Sequence, residues 1–230
     1  MSETKIVPVK LGSTHSYFLI CNDSVIVIDV GVKGYKRSFE KTLAKHGLSL
    51  DSVSLIILTH THYDHCRGVH DLKERTGAPV LVHQYEEKYL RTGKSKLPRG
   101  TKWYTDAMTF LGRNLVPSVG NYQPVNPDVV INDVYHLDSF GCSGYVLPTP
   151  GHSAGSISVV LNHNYDAIVG DLMFGIVRDS IVPFFADDPD LMAESWKMLL
   201  DRGCQNFYPA HGKPLDRIQV EENYKAYGNQ

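Results

Sequence analysis

The chain has 230 residues, 42% hydrophobic and 21% charged, a composition that suits one folded domain with a sizeable core and excludes a disordered or fibrous chain. Its 23 Lys and Arg against 25 Asp and Glu give a formal net charge of −2, so no overall basic field draws it to nucleic acid. The opening Met-Ser-Glu-Thr-Lys has no apolar signal core, and runs such as Val25 to Ile28 and Leu55 to Leu58 are too short for a bilayer, so the expectation is a cytoplasmic protein without a membrane partner.

Three β-rich runs come first, Ile6 to Val9, Tyr17 to Cys21 and Val25 to Val30, with Asn22-Asp23-Ser24 as turn chemistry between the last two. Phe39, Leu43 and His46 at helical spacing predict a helix over 34–46, stopped by Gly47. Val53 to Leu58 reads as a strand buried on both faces, and it ends directly at Thr59-His60. A helix from Asp64 to Arg75, closed by Gly77, and a strand from Pro79 to Val82 follow. From about 91 to 127 Gly and Pro break the rhythm around one short helix near Trp103 to Leu111, which predicts an irregular, lid-like insertion in an otherwise single domain over 1–230.

Strands are then expected at Val129 to Ile131, Val134 to Leu137, Tyr145 to Leu147, Ile157 to Leu161 and Ala167 to Val169. Asp188-Pro189 has the chemistry of an N-cap followed by proline at the first helical position, and Gly203 ends that helix. A strand at Asn206 to Tyr208 and a C-terminal helix complete the pattern.

The strongest chemical signal is His60-Thr61-His62-Tyr63-Asp64-His65, four potential ligands within six residues. In an extended segment side chains two apart point the same way, so His60 and His62 can converge on one ion, and a turn into helix at Asp64 swings the next two toward a neighbouring position. Imidazole with carboxylate suits zinc, iron or manganese, whereas magnesium or calcium asks for an oxygen shell. Three further segments repeat one design, an apolar run ending at a ligand beside glycine: Pro150-Gly151-His152, Gly170-Asp171 and Pro209-Ala210-His211-Gly212. Strand ends on one sheet edge are where such residues can meet.

With these motifs, THTHYDH, PGHS at 150–153, GD at 170–171 and PAHG at 209–212, the chain resembles the metallo-β-lactamase superfamily over nearly its whole length. The resemblance implies an αββα four-layer sandwich of two mixed β-sheets with outer helices. It implies His60, His62 and His152 as ligands of a first metal, Asp64, His65 and His211 as ligands of a second, and Asp171 as the bridge between them. The pattern is similar to the branch of glyoxalase II and acyl-homoserine lactonases, and Asp171 departs from lactamases with a cysteine ligand there.

The implied cofactors are two divalent metal ions, zinc first, with iron or manganese as alternatives. Two cations roughly 3.5 to 4 Å apart can hold a bridging hydroxide at neutral pH. The expected activity is a metallo-hydrolase acting on a small ester, thioester, lactone or phosphodiester, with Asp64 as the catalytic residue that orients the nucleophile. A mononuclear iron-dependent persulfide dioxygenase is the alternative, and a nuclease ranks below it. Position 62 is histidine, which disfavours a diflavin-type electron-transfer role, and the 19 residues after His211 leave no room for a glutathione-binding helical domain. The expected partner is a small-molecule substrate; the oligomeric state is open, a homodimer included.

Other residues have plainer readings. The cysteines Cys21, Cys66, Cys142 and Cys204 form no CxxC pair and suit reduced, packed thiols rather than a disulfide framework. His46, His70, His136 and His163 read as structural or solvated, while His15 and His83 flank strands and could reach a pocket. Ser153 reads as a turn cap. Met173, Phe174, Phe184 and Phe185 divide between pocket wall and core, and Arg178 between a substrate anion and solvent.

Overall fold

The computed structural model describes residues 4–32, 34–96, 98–107, 120–163 and 165–228. Its first sheet holds β1 (Lys5–Leu11), β2 (Thr14–Cys21), β3 (Ser24–Ile28), β4 (Val53–Ile57), β5 (Val80–His83) and β6 (Val129–Ile131), in that order. The second holds β7 (Tyr135–His136), β8 (Gly144–Pro148), β9 (Ile157–Leu161), β10 (Asp166–Gly170), β11 (Asn206–Pro209) and β12 (Leu215–Asp216), again neighbour to neighbour in sequence order. Both sheets are mixed. The β1–β2–β3 meander is antiparallel and β3 to β6 are parallel, whereas in the second sheet only β10 and β11 run parallel.

Alternation along the strands sorts side chains into layers. In β3, Ile26 and Ile28 face the second sheet and join Leu55, Ile57, Val146, Val159 and Ile168 in a core between the sheets. Val25 and Val27 face outward, where Phe39 and Leu43 of α1 (Tyr35–Ala44), Val69 and Leu72 of α3 (Val69–Thr76) and Leu90 of α4 (Gln84–Thr92) cover them. The outer face of the second sheet is covered by α5 (Pro189–Asp201) and α6 (Arg217–Gly228), with Trp196, Leu199 and Val220 packed on Val169 and Phe207. This is the expected αββα sandwich.

Local signals decide the element ends. Asn22 takes φ 58° in the two-residue turn that pairs Cys21 with Ser24. Asp188 accepts a hydrogen bond from the Leu191 N–H at 3.0 Å, with Pro189 opening α5 as its chemistry predicts.

Four expectations need correction. β3 stops at Ile28, because Asp29 turns the chain with φ 58°. The single helix expected over 64–75 is two, a one-turn α2 (Tyr63–Cys66) and α3, broken at Gly68, where an added Cβ would stand 2.7 Å from both Tyr35 and Val30. α4 occupies 84–92, which the sequence reading leaves without an element. The expectation of four reduced thiols also fails: Cys21, at the end of β2, and Cys142, just before β8, form a disulfide that ties the two sheets together, with Cα atoms 5.5 Å apart, while Cys66 and Cys204 are free and buried.

Within the irregular 91–127 segment, residues 103–107 are helical and Gly100 bridges Phe185. Residues 108–119, which include the rest of the expected short helix, lie outside those described.

Candidate metal centre

The four ligand-bearing segments leave the ends of β4, β8, β10 and β11. Because β8, β10 and β11 run in one direction, their following loops emerge at one edge of the second sheet. The first sheet is stitched to that edge by backbone bonds: Ile157 N–H to the Thr59 carbonyl at 2.9 Å and His15 N–H to the Ala210 carbonyl at 2.7 Å. Tyr17 adds a hydroxyl bond to the Pro209 carbonyl at 2.6 Å. The sheet pairing itself carries the donors to one place.

All seven expected residues meet there, in three overlapping groups whose donor atoms lie within 4.8 Å of one another: His60, His62 and His152; His60, His65 and Asp171; and Asp64, His65 and His211. His62 Nδ1 and His152 Nε2 stand 2.9 Å apart. Asp171 divides its oxygens between the outer groups, Oδ2 lying 3.6 Å from His152 Nε2 and Oδ1 3.3 Å from His65 Nε2 and 3.5 Å from His211 Nε2. Asp64 Oδ2 is 3.4 Å from His211 Nε2.

Three of the cluster's atoms, His60 Nε2, His65 Nε2 and Asp171 Oδ1, are buried without a hydrogen-bond partner among the described residues. Orphaned buried polar atoms are costly, so three of them aimed into one cluster of imidazoles and carboxylates suit a bound cation. The donor set fits divalent ions that accept nitrogen and oxygen together.

Four of the five imidazoles are oriented through their other nitrogen. His65 Nδ1 donates to Asp29 Oδ2 at 2.8 Å, His152 Nδ1 to the Phe185 carbonyl at 2.8 Å and His211 Nδ1 to the Ser13 carbonyl at 3.1 Å. His60 Nδ1 lies 3.1 Å from the Thr59 hydroxyl, which donates to Asp29 Oδ2 at 2.7 Å. These contacts leave ring nitrogens facing the cluster free to bind a cation. Gly170, with φ 54°, lets Asp171 approach, since an added Cβ would lie 2.6 Å from the Thr59 hydroxyl.

Charge divides the cluster in two. Burial, reinforced by neighbouring imidazoles, pushes His60 well below its ordinary value; burial and His152 push His62 to about 3, and burial lowers His152. His65 and His211 go the other way. Burial opposes their protonation, but Asp171 with Asp29 and Asp64 raises His65 well above its usual value, and Asp171 with the Asp64 hydrogen bond raises His211. Burial also works against ionised Asp64, yet His65 and the bond from His211 hold it at about 2.

Sequence reasoning misses Asp29, which the structure places beneath Thr59 and His65; its signal is an acidic residue inside the apolar run Val25 to Val30. Glu86 is missed as well, with its helix. His83 is structural, its Nδ1 capping α4 by accepting from the Tyr85 N–H at 3.3 Å, and His15 belongs to none of the donor groups. Cys66 is buried, as expected. The Phe174 ring lies 4.8 Å from that of His211, tilted to it, and meets Phe184 edge-on at 5.8 Å, forming an aromatic wall, whereas Met173 is core. Arg178 lines a surface groove with Gln219 and Glu222 and joins no donor group.

Residues 9–211 match the family model of the metallo-beta-lactamase superfamily, and the chain belongs to that superfamily. It is 29% identical over 232 residues to a probable metallo-hydrolase of Streptococcus pyogenes, covering 94% of this chain and 86% of that protein. A probable metallo-hydrolase of Methanocaldococcus jannaschii is 26% identical over 213 residues, covering 90% and 92% of the two chains. Among solved structures, a metallo-beta-lactamase family protein from Thermus thermophilus superposes with a TM-score of 0.72 at 21% identity, covering 98% of this chain and 79% of the other. The BLEG-1 B3 metallo-beta-lactamase does so at 0.71 and 20%, over 96% and 97%. At that identity the structural likeness concerns the fold.

Proposed function

We propose that this chain is a metallo-hydrolase that cleaves a small ester, thioester, lactone or phosphodiester at two divalent metal ions, zinc in the first instance. The observation that carries the reading is the meeting of seven donors in three overlapping groups, with Asp171 within reach of both His152 and His65. His60, His62 and His152 would hold one ion and Asp64, His65 and His211 the other. When bound, such ions supply Lewis acidity that activates water and polarises the scissile bond.

The chain's own residues do the rest. Neutral His60, His62 and His152 offer lone pairs without first losing a proton. Asp64 is the most open of the three carboxylates, its side chain 26% exposed against 6% for Asp171 and 3% for Asp29. Ionised at neutral pH, it accepts a hydrogen bond from the attacking water and orients it. A cavity of about 160 Å³ beside His62, edged by Tyr85, Tyr89 and the Lys96–Asp187 ion pair, suits a small substrate group. Phe174 and Phe184 offer an apolar surface near His211.

We read the chain as a single domain in which Lys96 and Thr101, described residues of the 91–127 segment, border this site, a reading supported by the Thr101 N–H bond to the Phe184 carbonyl at 3.0 Å. Metal analysis of protein purified without chelators, followed by a panel of lactones, thioesters, phosphodiesters and β-lactams, tests the proposal. Two zinc ions per chain and turnover of a panel member that His60→Ala and Asp171→Ala abolish are expected. One iron per chain with oxygen consumption on a persulfide overturns it.

A further inference from the structure

Glu86 lies in the first turn of α4, is only 4% exposed, and is neither a donor in the metal cluster nor an expected site residue. Its Oε2 accepts the Thr61 N–H at 3.0 Å and also the Thr61 hydroxyl, and its Oε1 accepts the Ser153 hydroxyl at 2.6 Å. Thr61 sits between His60 and His62, and Ser153 follows His152. One buried carboxylate therefore grips both loops that carry the first triad, and those loops leave different sheets.

The turn after His152 is shaped around this carboxylate. Ser156 Oγ accepts the Ser153 N–H at 3.0 Å and lies 2.9 Å from Ser153 Oγ, which fixes the hydroxyl that reaches Glu86. At Gly155 an added Cβ would stand 2.6 Å from Glu86 Cγ, so glycine there makes room for the side chain. Glu86 also borders the cavity beside His62, but both its oxygens are already engaged by donors, which suits support better than proton transfer to a substrate.

We propose that Glu86 is a positioning residue that sets the spacing of His60, His62 and His152, and so tunes how tightly the first triad holds its ion. The inference rests on the metal-centre reading above. Outer partners of ligating histidines typically change metal affinity by about 10–100-fold when removed, and Glu86 acts one step further back, on the backbone and hydroxyls of both ligand loops.

Two single-site backgrounds separate the ions: His211→Ala leaves the first triad intact, and His62→Ala leaves the second. Zinc affinity is measured in each, by competition with a chromophoric chelator, with and without Glu86→Ala. A loss of about 10–100-fold is expected in the His211→Ala background, with little change in the His62→Ala background. Glu86→Gln keeps the length and one acceptor oxygen and should fall between wild type and Glu86→Ala.

Equal loss in both backgrounds, or none in either, overturns the inference. If Glu86→Ala does not fold, judged by circular dichroism, Ser153→Ala cuts only the tether to the second loop. It should give a smaller loss confined to the first triad, and no loss there also overturns the inference. Absence of zinc binding in both backgrounds overturns the metal-centre reading and this inference with it, whereas normal binding indifferent to Glu86 overturns the inference alone.

Discussion

Asp29→Asn isolates the support beneath the second cluster. Asparagine tolerates the left-handed backbone that Asp29 adopts at φ 58°, so the turn after β3 should survive. The wild-type carboxylate accepts three bonds, from the Thr59 N–H at 2.8 Å, the Thr59 hydroxyl at 2.7 Å and His65 Nδ1 at 2.8 Å. An amide has one accepting oxygen, so its NH₂ must face either the Thr59 N–H, a donor against a donor, or His65 Nδ1. The second arrangement drives the imidazole proton to Nε2, the nitrogen that faces Asp171 and Asp64.

One buried donor left unsatisfied costs about 1–3 kcal/mol, which for a chain of this length corresponds to a drop of roughly 2–12 °C in the melting temperature. The second arrangement flips the His65 proton and the first leaves it on a neutral oxygen in place of a carboxylate, so zinc affinity at the second cluster should fall, by about 10–100-fold. The assay pairs thermal melts of the metal-free protein with zinc titration in the His62→Ala background. Unchanged zinc affinity alongside a lowered melting temperature would refute the claim that Asp29 fixes the His65 tautomer and leave it a folding role only.

Zinc affinity of the two clusters should respond differently to pH. His65 and His211 are raised, so the metal-free protein holds protons there that binding must expel, and affinity of the second cluster rises with pH through and above neutrality. His60, His62 and His152 are all lowered, so the first triad holds no protons at neutrality and its affinity should change little from neutral pH upward. Titrations in the single-site backgrounds at several pH values check this, and parallel slopes count against it. Peptide mapping without reductant should recover Cys21 joined to Cys142, with Cys66 and Cys204 as thiols. With a sequence separation of 121, Cys21→Ser should destabilise by up to about 5 kcal/mol on the chain-entropy estimate, read by denaturant titration. Gly170→Ala combines a positive φ with the clash against Thr59, so it should lower both stability and metal content; a variant with full metal loading speaks against the close approach.

Much of this was legible in the residues. The apolar run ending at His60 and the repeated design of an apolar run, glycine and ligand marked every donor, because a buried strand must emerge somewhere and small residues let the backbone approach an ion. Asp188-Pro189 announced α5 through local capping chemistry. α4 was hidden because its sequence, Gln84 to Thr92, is mostly polar and buries only Glu86 and Leu90, so too few apolar residues mark its inner face. The break at Gly68 was hidden for another reason: its N–H goes to the carbonyl of Gly31, far away in the chain.

The sequence by itself determined which imidazole and carboxylate donors the chain offers, the strand periodicity and hence the layered fold, since each depends on residue type and spacing within a few positions. Only the tertiary structure decided that Asp29 stands under His65, that Cys21 meets Cys142, and that Glu86 reaches both Thr61 and Ser153. These are pairings across 25 to 121 residues of chain, made by the way the strands and sheets stack, and no local pattern encodes which distant partner a buried carboxylate or thiol will find.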